Sequence, residues 1–495
     1  MPYINTEYLQ DYIAANSGTI FGLLNTLSGS ALSQATLFAL SIQPYINASI
    51  IIQLLTIAIP VVLQSVITNG VNMVDNIMLG QFTEAALSGS TQANQFIMLF
   101  SFTIMGVSMG ASVLSSRYWG AKDFTSLKKA ITIALRFGLA LGLGFTLVDV
   151  FLPRQVMGLY FRPEAVAEIE AGVEYLRWST ATFLLMVLSF ALTNIMRSMD
   201  LSNVPLIASI FAFGVNVGAN YVFIFGKLGF PKMGVAGAAL GTVIARAIET
   251  GIIVGCFLKN KKLRYRLRDL FMPCGDLVMD FLRISIPVML SDCLLGLGDN
   301  VLAIIMGQIG SGFVSANSIT SILQRVSTIF ISGLSFSGCF LTGQILGEGR
   351  TEDARRQGYT YLILGAIVGG CAALIIRLVS DPVIGVYNIT DETKAIAREL
   401  MNALSIIVIF RSTNSILTKG VLRGGGDTRF LLMADMFTMW LIAVPLGALA
   451  GLVLHLPTFY TYVFLHADQI IKAIWCVFRL RSGKWIKKIK TETTE

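Results

Sequence analysis

The sequence predicts an all-α integral membrane protein. Twelve transmembrane helices are expected, in two six-helix bundles related by a pseudo-two-fold axis along the membrane normal, behind an extra N-terminal helical segment. Three observations predict this. The 495 residues are 54% hydrophobic and 13% charged, with mean hydropathy +0.71. Soluble domains carry roughly a quarter charged residues, so this chain cannot clothe a water-facing surface. Its apolar runs are about 20 residues long, the length that crosses a hydrocarbon core of about 30 Å as helix. Barrel strands would instead alternate over about 10 residues. Finally, the chain matches itself at a fixed shift.

Apolar windows between charged or Gly/Pro breaks place the spans near 58–80, 92–116, 130–150, 171–196, 204–226, 236–257, 281–307, 315–345, 358–380, 393–418, 430–452 and 459–480. The loops alternate in charge. Those at 117–129, 197–203, 258–283, 346–357, 419–429 and 479–490 hold 24 Lys and Arg, and the opposite set holds 8. A three-to-one bias of this kind puts the first set, and the basic tail, on the cytoplasmic side. The net charge of +8 then reflects membrane orientation and anionic lipid, not a nucleic-acid partner.

The repeat has a shift of 227 residues. Ile59-Pro60-Val61-Val62-Leu63 falls on Ile286-Pro287-Val288-Met289-Leu290, Gly106 on Gly333, Gly120 on Gly347 and Asp200 on Asp427. Six spans separate the copies, so both begin on the same side, which makes the repeat parallel. The expected divisions are 1–57, an N-terminal appendage; 58–257 and 281–480, the two bundles; 258–280, a linker; and 481–495, a basic tail. Two bundles facing across a cleft suit alternating access, so the reading is of a transporter.

Several chemistries are excluded. The six cysteines are scattered without a CxxC pair, and no metal cluster or disulfide framework is readable. There is no GxxxxGK[ST] for nucleotide phosphates. The N-terminus lacks a basic n-region, so it does not read as a signal peptide. No catalytic constellation and no cofactor is indicated, beyond H+ or Na+ as a coupling ion.

Charged and amide side chains inside spans are the candidates for function, because a bilayer tolerates them only where they face a cavity or a partner. Asp75 lies in the first span and leads the set. Asn72 precedes it by three residues, on the same helical face. Asn194, Asn216 and Asn220 lie in the fourth and fifth spans of the same half. With Asp75 they offer an oxygen-rich site for H+ or Na+, although each Asn reads equally as an interhelical hydrogen-bonding group. The second half has Asp292 and Asp299 seven residues apart on one face of the seventh span, Arg325 in the eighth and Arg411 in the tenth. Arg246 and Glu249 read as an i,i+3 ion pair.

These residues carry a family resemblance. Asn72-Met73-Val74-Asp75-Asn76-Ile77-Met78-Leu79-Gly80, ahead of Ala86-Leu87-Ser88-Gly89, resembles the first-helix signature of multidrug and toxic compound extrusion (MATE) transporters. Leu422-Arg423-Gly424-Gly425-Gly426-Asp427-Thr428-Arg429 is similar to that family's loop after its tenth helix, and Arg197-Ser198-Met199-Asp200 is a weaker first-half version. The resemblance covers about 58–480 and implies that Asp75 stands where the family carries its first-helix acid. Before it, Ile20-Phe21-Gly22-Leu23-Leu24-Asn25 and Phe38-Ala39-Leu40-Ser41-Ile42-Gln43-Pro44-Tyr45-Ile46-Asn47 resemble the plug and second helix of the SecY-type translocation channel, which gives an apparent chimera. The apolar stretch 36–80 would make a helix of about 67 Å at 1.5 Å per residue. A bend is therefore expected at Pro44 or across Thr56–Pro60, leaving 1–57 peripheral.

The resemblance implies a multi-pass antiporter of a bacterial-type inner membrane, monomeric, exporting amphipathic and often cationic small molecules. The alternatives are a lipid-linked precursor flippase of the same superfold, which wants a cationic cleft, and a protein-translocation component, which rests on 1–57 alone.

Overall fold

The computed structural model describes residues 48–80, 84–161, 164–387 and 389–487, and every regular element among them is helical. The first half comprises α1 (Ala48–Gly80), α2 (Glu84–Gly120), α3 (Phe124–Phe151), the short α4 (Pro153–Gly158), α5 (Val166–Ser179), α6 (Thr182–Ser198), α7 (Asn203–Phe225) and α8 (Val235–Leu258). A strap, 259–274, contains the 3-10 turn Leu267–Phe271. The second half comprises α9 (Gly275–Ile309), α10 (Ser311–Gly347), α11 (Thr351–Val386), α12 (Asp391–Ser415), α13 (Thr428–Met436), α14 (Val444–Ala448), α15 (Thr458–Leu465) and α16 (Ala467–Arg481). Wide π turns at Ile416–Leu422, Phe437–Ala443 and Leu449–Val453 extend α12 and carry the α13–α14 crossing.

Among the described residues, ten helical stretches are long and apolar enough to cross a bilayer, and α5 with α6 makes an eleventh. That pair bends by 56°, where the sequence reads one uninterrupted span. No Pro or Gly marks the break. At the break the Thr180 hydroxyl donates to the carboxylate of Asp149 at 2.6 Å, which ties the bend to α3. The twelfth crossing is likewise broken, at His466, which ends α15 and opens α16. Conversely, α1 runs helically through Pro60 for 33 residues, about 50 Å. The break expected at Thr56–Pro60 does not occur in the helix, and residue 57 lies inside α1. Pro44 and residues 1–47 lie outside the described residues.

Long helices need defined ends. Asp123 caps α3, its carboxylate accepting the Ser126 amide at 3.0 Å. Gly226 ends α7 at φ 66, a left-handed conformation that a side chain would strain.

The two halves meet where small residues let backbones touch. On α2, Gly106 and Gly110 pack on Met289 and Ser285 of α9, and Gly120 meets the backbone of Gln344 on α10. On α10, Gly343 faces the Ser116 hydroxyl and Gly347 the Arg117 carbonyl. Gly343→Leu is therefore expected to wedge α2 from α10 at a cost of about 1–3 kcal/mol. It should lower the thermal midpoint in detergent, whereas Gly370→Leu, with no neighbouring atoms within 4 Å, should not.

Candidate functional site

Helices α1 and α7 run parallel, and their polar residues form two rungs across the seam. Gln64 pairs with Ser209 and Asp75 with Asn220, both pairs 145 residues apart in sequence. A constant offset is what two parallel helices in register produce. The rungs are eleven residues apart, three turns or about 16 Å along the axis, so they share one face.

In the upper rung, Asn220 Nδ2 donates to Asp75 Oδ1 at 2.5 Å and faces Asn216 Oδ1 at 3.4 Å. Asn216 is 1% exposed and Asn220 0%. Asn216 Nδ2 and Asn220 Oδ1 have no hydrogen-bond partner among the described residues. Gly241 of α8 backs the rung, because a Cβ there would collide with Asn220 Oδ1. Tyr175 of α5 lies close enough to sense the Asp75 charge and donates to Asn94 of α2 at 3.3 Å. The result is a carboxylate with two buried amide oxygens, a donor set suited to a proton or a small hard cation. Asn72 lies one turn before Asp75 on α1, and its side chain is outside the described set.

The lower rung is a longer chain of bonds. Arg197 of α6 donates to Gln64 Oε1 at 2.5 Å, Gln64 Nε2 to Ser209 at 2.9 Å, and Ser209 to Glu249 of α8 at 2.8 Å. Arg246 closes it by an ion pair with Glu249 at 2.8 Å. Asn194 belongs here, accepting from Arg197 at 3.3 Å, and not with Asp75 as the sequence suggested. The i,i+3 reading of Arg246–Glu249 holds, but the pair also anchors a network across four helices that sequence reasoning missed. Gln64 is visible in the sequence as a polar residue sharing the first span with Asp75, but Ser209, which receives it, gave no signal.

The shift of 227 carries only one member of the lower rung to a polar residue in the second half, and none of the upper one. Gln64 maps to Ser291, which donates to Asp435 of α13. Lys472 of α16 donates to the other Asp435 oxygen at 2.8 Å, and both charged groups are about 5% exposed. Asp292, next in sequence, is held by Arg423 at 3.0 Å. Asp75, by contrast, maps to Leu302 and Asn220 to Gly447. Of the remaining second-half candidates, Asp299 is exposed on α9, and no described hydrogen bond or ion pair joins it to Arg411 of α12. Arg325 is exposed on α10, and no described contact brings it to the others. Seven-residue spacing did put Asp292 and Asp299 on one face, but their partners differ.

The ends carrying the basic loops are closed against each other. Arg117 of α2 donates to the carbonyls of Gly425, at 2.5 Å, and Lys487 across the halves. Gln344 of α10 donates to Ser198 O at 2.9 Å and to Asp200 at 3.0 Å, and Trp119 Nε1 to Asp200 at 3.2 Å. The repeat-related Asp427 takes Arg479 at 2.7 Å and Lys487 at 3.2 Å. Both aspartates of the Arg-Gly-rich and Arg-Ser-Met-Asp loops thus tie the ends of helices together.

Comparison with known proteins agrees with this arrangement. The MatE family model matches twice, at residues 60–222 and 287–449, two copies displaced by the same 227 residues. "Probable multidrug resistance protein NorM" of Thermotoga maritima is 24% identical over 88% of this chain and 93% of its own length. "Uncharacterized transporter YisQ" of Bacillus subtilis is 24% identical over 84% and 90%. Among solved structures, an outward-facing multidrug resistance MATE family transporter superposes with TM-score 0.76 at 19% identity, over 87% of this chain and 96% of that one. A MATE in a straight conformation gives 0.78 at 19% identity over the same shares. The fold is therefore the twelve-helix, two-lobed one. The likeness of residues 1–57 to a translocation channel is not supported by these comparisons. With the family pattern filling both halves, the chain belongs to the MatE family.

Proposed function

We propose that the protein is a cation-coupled antiporter that exports amphipathic, often cationic small molecules, with the Asp75–Asn220–Asn216 rung as its ion-coupling site. The observation that carries the reading is the upper rung itself, a carboxylate and two amides held inside one half of a duplicated membrane fold and absent from the other. The coupling ion, H+ or Na+, binds at this rung. An ion can drive transport only through different affinities in the two access states. A carboxylate on a seam between two helices meets that need, because any slip of α1 against α7 changes its oxygen neighbours. Neutralising Asp75 also removes the charge that would hold a cationic substrate.

The excess of Lys and Arg favours a cytoplasmic placement for the closed end and the C-terminus, in a cytoplasmic membrane. With that end sealed by Arg117, Gln344 and Asp200, the conformation reads as the outward-facing one. The flippase alternative is disfavoured by the second half. Two of its buried cations, Lys472 and Arg423, are each spent on an aspartate at 2.8 and 3.0 Å, which leaves fewer charges for an anionic headgroup.

The test is efflux of ethidium from vesicles holding the full chain, with imposed pH or Na+ gradients. Efflux driven by one gradient supports the antiporter and names its ion. Protein that is folded in the membrane yet silent under both gradients would move the reading to the flippase.

A further inference from the structure

The strap 259–274 takes no part in the proposed transport chemistry, yet α3 holds it firmly. Leu263 and Tyr265 are buried, and the Tyr265 hydroxyl lies 2.8 Å from Thr132 Oγ1. Four strap carbonyls accept from α3 side chains. Lys128 reaches Arg264 O at 3.1 Å, Thr132 reaches Asp269 O at 3.1 Å, and Arg136 reaches Leu270 O at 2.7 Å and Met272 O at 2.9 Å. Asp269 is spent as well, accepting the Arg266 amide at 2.9 Å and pairing with Lys128 at 3.3 Å. Slight burial pushes its carboxyl up, but these bonds outweigh it and hold the group below the usual carboxylate range.

What faces outward is unspent. Lys259, Lys261, Arg266 and Arg268 are exposed, and among them Leu267 and Phe271, at the two ends of the 3-10 turn, are 73% and 82% exposed. Depth gives these residues a common environment. Helix α3 has 28 residues, about 42 Å, and overshoots the hydrocarbon core by about 12 Å. The exposed surface of its far end is apolar up to Phe151, the acid there, Asp149, being buried against Thr180, whereas Lys128 and Lys129 stand near its start. The overshoot therefore falls at the Phe124 end. Thr132, eight residues in, then marks the level where headgroups give way to acyl chains, and the strap is bonded there.

We propose that this strap is a docking surface for anionic phospholipid, its four free cations taking headgroup phosphates while Leu267 and Phe271 enter the acyl region. A basic face combined with a short apolar wedge is the composition that binds at such a boundary. Each basic residue near an anionic surface adds roughly a five-fold factor in affinity. The inference is independent of which substrate or ion is transported.

The experiment is native mass spectrometry of the full chain in detergent, offered phosphatidylglycerol or phosphatidylcholine. Wild type is expected to retain phosphatidylglycerol preferentially. Neutralising the strap (Lys259→Gln, Lys261→Gln, Arg266→Gln, Arg268→Gln) should cut that preference by well over tenfold, since four such factors multiply to about 600. Neutralising four other cations at the same end (Lys122→Gln, Arg350→Gln, Arg481→Gln, Lys484→Gln) should cut it far less. Leu267→Ser with Phe271→Ser should weaken both lipids and keep the bias. Lys259→Gln with Lys261→Gln lies outside the 3-10 turn and serves if the fourfold variant does not fold. Equal losses in the two fourfold variants, an unchanged preference, or full displacement of lipid by inorganic phosphate would overturn the proposal.

Discussion

Asp75→Asn is expected to reduce gradient-driven efflux by about 10- to 100-fold, the range of a typical coupling free energy between two sites, without unfolding the protein. Asparagine keeps an oxygen for the Asn220 amide, which sits 2.5 Å from Asp75 Oδ1, so the rung survives. It cannot take up a proton and carries no charge for a cation. Efflux should therefore lose its response to the gradient while thermal stability stays close to wild type. Asn220→Ala tests the same rung from the other side, leaving Asp75 without its amide donor. It should weaken coupling and also cost about 1–3 kcal/mol of stability, because a buried acceptor is left unpaired. An Asp75→Asn protein that still pumps at the wild-type rate would remove the ion-coupling assignment and leave the family membership untouched.

Lys472→Met should destabilise the second half by about 3–5 kcal/mol, because it strands Asp435 as a buried uncompensated charge. Asp435 is 6% exposed and Lys472 4%, and no other cation bonds that carboxylate among the described residues. Adding Asp435→Leu should recover most of the loss, since replacing a whole buried ion pair with apolar residues is often neutral. Ser291 would then lose its acceptor but could turn back to its own helix carbonyls, as serines in this fold do at Ser335 and Ser337. The double variant also bears on mechanism. If ion coupling resides in the first half, it should still pump. If it folds and does not, Asp435 and Lys472 belong to the transport cycle. Thermal unfolding in detergent and ethidium efflux read the two effects separately.

The legibility of this protein in its sequence follows from the kind of force involved. A lipid solvent enforces long apolar helices, so hydropathy alone located the crossings, and a duplication preserved in residues such as Pro60 and Pro287 fixed their pairing. What hydropathy could not locate were the breaks at Thr180 and His466, because neither is marked by Gly or Pro at that residue. A lone carboxylate in a span is equally visible, which is why Asp75 stood out. Asn216 and Asn220 were legible because they fall four residues apart on one helix, and Asn194 was misplaced because sequence could not say which face of α6 meets α1.

The sequence by itself determined the class of the protein and its two-fold repetition, and it exposed a charge bias among the loops and a carboxylate inside the first span, since each is written in composition or in spacing along one chain. Only the tertiary structure decided the partners. That Gln64 and Asp75 meet Ser209 and Asn220 depends on two helices 145 residues apart lying parallel and in register. That Gln64 joins a Ser209–Glu249–Arg246 chain while its equivalent Ser291 meets Asp435 and Lys472 depends on which residues the neighbouring helices supply. Local sequence sets what a helix offers to its neighbours, and packing selects which neighbour receives it.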